Sequence, residues 1–149
     1  MKKTSLVSIL PQILMSHKEW FESKGNGGIF ADLSGEDLRE GNFKNAVLVE
    51  VNLQGADLRG ADFENADLRG ANLQDALLEG SRLKNANFEE TDLMWASLEN
   101  ADLQNTRLDG AYLHGANLKN TCVKISQVEL AWIDEDTQFP PEFKHPLKP

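Results

Sequence analysis

The chain has 149 residues, enough for one domain, with 24 acidic and 15 basic side chains and a net charge of −9. That balance excludes nucleic-acid binding by phosphate neutralisation, and no stretch approaches the roughly twenty apolar residues of a membrane span. The single cysteine, Cys122, excludes an internal disulfide and points to the cytosol.

Residues 1–30 read as an N-terminal helical cap. Leu6, Ile9, Leu10, Ile13 and Leu14 recur at helical spacing, Trp20 and Phe21 follow, and Gly25, Gly27 and Gly28 end the helix. Pro11 either starts the main helix or kinks it. The opening MKKTSLVSILPQILM also has the basic start and apolar run of a secretory signal, and the chain is exported if residues 1–16 act as one. Ser8, Pro11 and Gln12 interrupt that run and no A-x-A site follows, so the cap is the preferred reading.

Residues 31–135 carry one dominant signal. From Leu33 to Leu118 every fifth residue is Leu or Phe, eighteen times in succession, and Val123, Val128 and Ile133 keep the spacing. The residue two before each is almost always small, as at Ala56, Ala61, Ala66, Ala71 and Ala76, so the unit is A-(D/N)-L-x-x. A step of five smears positions around a helix and flips faces along a strand. A uniformly inward Leu therefore requires one change of direction per repeat. If five residues make a side and a corner of a square, four repeats close a coil of twenty, and coils stack at about 4.8 Å. Leu58, Phe63, Leu68, Leu73, Leu78, Leu83, Phe88, Leu93, Leu98 and Leu103 then form the core.

Residues twenty apart become stacked neighbours. Lys44, Glu64 and Lys84 form one column of alternating sign and Asp62, Arg82 and Asp102 another; Arg59 stands below Glu79 and Arg69 below Glu89. Asn45, Asn65, Asn85 and Asn105 form an amide ladder at a corner. Glu36 occupies an inward small-residue slot, so the first coil is expected to be irregular and open there, or the cap supplies a partner. Val47 and Val49 should point outward and dock the cap helix.

The stretch ADLRGADFENADLRGANLQDA, residues 56–76, resembles the pentapeptide-repeat family, and the likeness runs from about Ala31 to Glu135. The lead-in HKEWFESKGNGGIFADLSGEDL and the tail segment T-Q-F-P-P-E-F are similar to those of bacterial members. The resemblance implies an all-β solenoid, a right-handed quadrilateral β-helix of about five 20-residue coils with a Leu/Phe-filled centre. Residues 136–149, which hold four of the five prolines, form a C-terminal capping tail, with Phe139 and Phe143 folded over the last coil.

No catalytic chemistry emerges. His17, His114 and His145 lie at no metal-binding spacing, and no phosphate loop occurs. The interior is a packed core and not a lumen, so catalytic, cofactor and metal residues are all expected to be none. The informative departures are outward: Met94, Trp95, Tyr112, His114 and Trp132 replace polar residues on one side of the last three coils. Exposed aromatic and Met residues mark contact surfaces. Three occupants are open: the Pro-rich tail, an unidentified protein, or a second copy in a homodimer through the C-terminal coils. The expected function is a non-catalytic binding or scaffold module. The alternative implied by the resemblance is a duplex-DNA mimic that binds DNA gyrase and modulates quinolone sensitivity. The short array, the mixed charge columns, the lack of an inserted loop and the lack of an apolar dimerisation helix weigh against it.

Overall fold

The computed structural model describes residues 6–144 and residue 146. Residues 1–5 of the signal-like opening, His145 and residues 147–149 lie outside them.

The repeat folds as its spacing requires. Parallel bridges join residues twenty apart, as in Asp32 to Asn52 to Asn72 to Asp92 to Tyr112 to Trp132. Each corner is a tight turn closed by a backbone bond three residues back, such as Ala61 N–H to Leu58 O at 3.0 Å. The residue before the small one has positive φ at every corner from Gly35 to Asn120. That is the requirement of the third position of a type II turn, and explains the Gly and Asn found there. A second bond fixes the corner. The Asp or Asn of A-(D/N)-L-x-x accepts from the N–H two residues on, as at Asp62 from Glu64 (3.0 Å) and Asp92 from Met94 (3.0 Å). Leu58 N–H then donates to Leu77 O at 2.8 Å in the next coil, while Leu77 N–H donates back to Ala56 O at 3.0 Å.

All ten predicted core residues are fully buried. Phe43 and Phe63 stack across adjacent coils with centroids 4.4 Å apart. Each such side chain contributes about 1.5–3 kcal/mol of burial. The amide ladder is present: Asn65 donates to Asn45 and Asn85 to Asn65, each at 3.2 Å.

Helix α1 spans Leu6–Glu22 and includes Pro11 in its interior. Leu10 is buried, and Leu6, Ile13 and Leu14 pack on the core. Gly25, with φ +82°, donates to Trp20 O at 2.8 Å and ends the helix. Val49 docks the cap as expected: it is buried outside the solenoid interior beside Phe21, and its carbonyl accepts from His17 Nε2 at 3.0 Å. The first coil is regular at Glu36, whose backbone bonds to Leu33 and Asp57 while its side chain turns to solvent. No coil precedes it, so the corner is open.

The regular ladder ends sooner on two sides than the residue spacing indicated. Helix α2, Ile125–Val128, replaces a repeat. Position 125 is a corner that requires positive φ, and β-branched Ile tolerates it poorly. Val123 and Val128 are still buried, whereas Ile133 is only half-buried. The Gln127 amide donates to Leu103 O (2.8 Å) and Thr106 O (2.9 Å), and gives Thr106 O the partner that the next coil would have provided. The other two sides continue through Trp132 and Gln138. Phe139 then closes the end, stacked on Phe143 at 4.5 Å.

Two expected charge pairs rearrange. Arg59 and Arg69 do not bond Glu79 and Glu89 but fold back on Asp57 and Asp67 of their own coil, each at 2.6 Å. An arginine two residues after the carboxylate reaches it bidentately without crossing to the next coil. The stacked pairs Lys44–Glu64 and Arg82–Asp62 are formed, each at 2.9 Å.

Candidate functional site

The coil has four sides, and the five outward departures fall on one of them. Tyr112 and Trp132 are bridged neighbours, with Asp92 below Tyr112. Met94 and His114 lie in the adjacent column, with Asp134 beyond them. Trp95 stands at the corner. Trp95, Tyr112 and Trp132 are 54%, 42% and 58% exposed, while Met94 and His114 are half-buried.

Trp95 is the sharpest deviation. It has φ +58° in a position otherwise held from Gly35 to Asn120 by Gly, Asn, Asp or Glu. A bulky residue in that region costs about 1–2 kcal/mol. Its ring lies over Gly115, where an added Cβ would collide with Trp95 Cε3. Gly115 is therefore required twice, by its own φ of +67° and by the ring above it. Gly115 N–H also donates to Asp134 Oδ1 at 3.0 Å, and Thr137 N–H to the same oxygen at 2.9 Å. These bonds hold the Asp134 carboxyl below its ordinary pKa against the opposing effect of partial burial. His114 Nδ1 is buried without a hydrogen-bond partner among the described residues.

The tail does not cover these rings among the described residues. Phe139 and Pro140 are buried at the end of the solenoid, away from the exposed Trp132. Cys122 is exposed, with Sγ 3.6 Å from Asp102 Oδ1. A cleft of about 550 Å³ between Phe21 and Leu130 is lined by Glu50, Arg69, Glu89, Glu90 and Asp109, with no Ser, Thr, Cys, His or Lys among the described residues on its walls. Among the described residues no group of three His, Cys, Asp or Glu is placed to hold a metal ion.

Residue patterns missed His17. It is fully buried where α1 meets the first coil. Its Nε2–H donates to Val49 O at 3.0 Å and its Nδ1 accepts from Ala31 N–H at 3.1 Å, which fixes a neutral ring. Trp20 stacks on it at 5.5 Å and Phe30 meets it edge-on at 5.7 Å. Burial pushes the imidazole pKa down, against the raising effects of the Val49 bond and the Glu50 charge.

The family model described as pentapeptide repeats matches residues 29–65, 61–100 and 91–124, with 8 copies. Among solved structures, a pentapeptide repeat protein from the Arabidopsis thaliana thylakoid lumen is 34% identical, with a TM-score of 0.65 over 72% of this chain and 78% of that one. A pentapeptide repeat protein from Nostoc is 23% identical, with a TM-score of 0.61 over 89% and 88% of the two chains, and supports the fold alone. No curated protein matches the sequence.

Proposed function

The chain belongs to the pentapeptide-repeat family, whose members fold as right-handed quadrilateral β-helices, and from that premise we propose that it is a non-catalytic binding module docking a protein partner through the aromatic side of its last coils. The supporting observation is Trp95: a large ring held exposed in a backbone conformation that disfavours it, beside exposed Tyr112 and Trp132. Strain retained at an exposed position is characteristic of functional sites. Aromatic rings with Met nearby are the residue types enriched where proteins meet.

The side chains that obey the repeat are accounted for by the coil. The glycines serve corners, the Asp and Asn residues serve turns, and the interior is filled. A binding role through departures from the repeat is therefore the reading that uses what remains. The lone, exposed Cys122 fits a reducing compartment such as the cytosol. A gyrase-directed DNA mimic would need long, uniformly acidic faces, and three of the four sides here mix Arg or Lys with their acids.

Capture from the native host with the wild-type chain and with Trp95→Ser/Tyr112→Ser tests the proposal, with Lys84→Ser on another side as control. The expected result is loss of one specific protein with the aromatic variant alone. Equal capture by all three chains would overturn it, and a gyrase supercoiling assay separates the alternative.

A further inference from the structure

The four sides differ in charge in a way that the net value of −9 conceals. Three of them carry Lys or Arg of their own. The side through Asp37 and Asp57 has Arg39 and Arg59; the next has Lys44 and Arg82 against Glu64 and Asp62; the third has Arg69 and Arg107 among Glu50, Asp67, Glu89, Glu90, Asp109 and Glu129. The aromatic side is different. Its outward positions, 32, 34 and 35 and those at intervals of twenty up to 132, 134 and 135, contain no Lys or Arg. They do contain Asp32, Asp75, Asp92 and Glu135, besides Asp134.

These acids stand beside the rings. Asp92 is bridged directly below Tyr112. Asp75 occupies the corner one coil below Trp95, and Glu135 follows Asp134 past the Gly115 corner. Adjacent coils are about 4.8 Å apart, so a group seated on the rings lies within direct reach of a carboxylate.

Resting on the binding role proposed above, we infer that this side takes a basic partner: a segment presenting Arg or Lys whose cation lies on Trp95 or Tyr112 and is met by Asp75 and Asp92. A cation within about 6 Å of an aromatic face is attracted by the ring quadrupole, and Arg also stacks on it. Acids with no cation on their own side are complementary to such a segment. The same distribution disfavours a second copy. A two-fold interface would bring two lysine-free, arginine-free acidic surfaces together, which argues against the homodimer expected as one occupant of this side.

The indole N–H signals of the full-length protein provide the readout, with Trp95 and Trp132 as reporters and Trp20, in the cap helix, as internal reference. Two unstructured peptides of equal length are titrated, one alternating Arg and Ser, the other Leu and Ser. The Arg peptide should shift the Trp95 and Trp132 signals and leave Trp20 in place. The response should weaken several-fold between about 0.05 M and about 0.5 M salt. Asp75→Asn/Asp92→Asn should also weaken it several-fold, and Asn keeps the turn acceptor that Asp92 provides to Met94, so the coil is preserved. If the Leu peptide alone moves the two indoles, the surface binds but the partner is not basic, and the inference falls while the binding role stands. If neither peptide moves them, the inference falls and the binding role rests on the capture experiment. A shift unaffected by the two Asn substitutions, or a dimer in sedimentation that Trp95→Ser dissociates, would also overturn it.

Discussion

A single backbone angle explains much of the residue choice. Every corner from Gly35 to Asn120 has positive φ, so Gly and Asn recur there for conformational reasons. Gly55 and Gly115 separate that requirement from packing. Both have φ near +65°, but a Cβ at Gly55 meets nothing within 4 Å, whereas one at Gly115 meets the Trp95 ring. Gly55→Ala should lose about 1 kcal/mol in thermal or denaturant unfolding, and Gly115→Ala clearly more. The difference should vanish in a Trp95→Asn background, since neighbours that share a contact are non-additive. His17 supplies a second test. Its folded-state pKa lies below the ordinary 6.5, so α1 docking is fully stabilised above that value and loses stability as pH falls toward the folded pKa. A protonated ring has no acceptor for Ala31 N–H. Amide exchange of α1, corrected for intrinsic rate, should accelerate from about pH 8 to about pH 5, and His17→Gln should flatten that profile. The repeat positions and the aromatic departures were readable from residue spacing. His17 was not, because its role depends on Val49 and Ala31, 32 and 14 residues away, and no local pattern encodes those partners.

The two helices close the solenoid by different means. Helix α1 covers the first coil with the apolar face that its spacing predicted. Its coil-side partners, buried Val49 among them, were legible as apolar residues at outward positions. Helix α2 was not legible in the same way. Val123 and Val128 keep the inward spacing through a four-residue helix, so the beat continues in sequence after the ladder has stopped. The visible signal was Ile125 and Leu130 at corner positions, where Gly or Asn belongs. Gln127 carries the seal, since its amide meets two carbonyls of the coil beneath. Gln127→Ala should cost about 1–3 kcal/mol in denaturant unfolding by leaving Thr106 O without a partner, while Leu103 O keeps its bond from Thr106 N–H. Exposed Gln104→Ala should cost under about 0.5 kcal/mol.

The molecule as a whole separates scaffold from surface. The scaffold is a filled stack whose stability comes from inward residues. Leu68→Asp should therefore abolish folding while Arg69→Ala shifts stability by under about 1 kcal/mol, as read by circular dichroism melts. Three faces carry Lys or Arg of their own, and the fourth is aromatic and holds acids without a cation. That division follows from the sequence only once the twenty-residue register is known, because residues such as Asp92, Tyr112 and Trp132 are otherwise unrelated. If the aromatic side serves binding and not folding, its rings are dispensable to the coil. Thermal unfolding of Trp95→Asn/Tyr112→Asn/Trp132→Asn measures this most directly, with Leu113→Ala from the same coils as reference. Truncating that buried Leu costs about 2–5 kcal/mol. The triple variant should melt closer to wild type than Leu113→Ala does. A triple variant that melts below Leu113→Ala would show that the rings hold the coil together, and would contradict the separation of scaffold from binding surface.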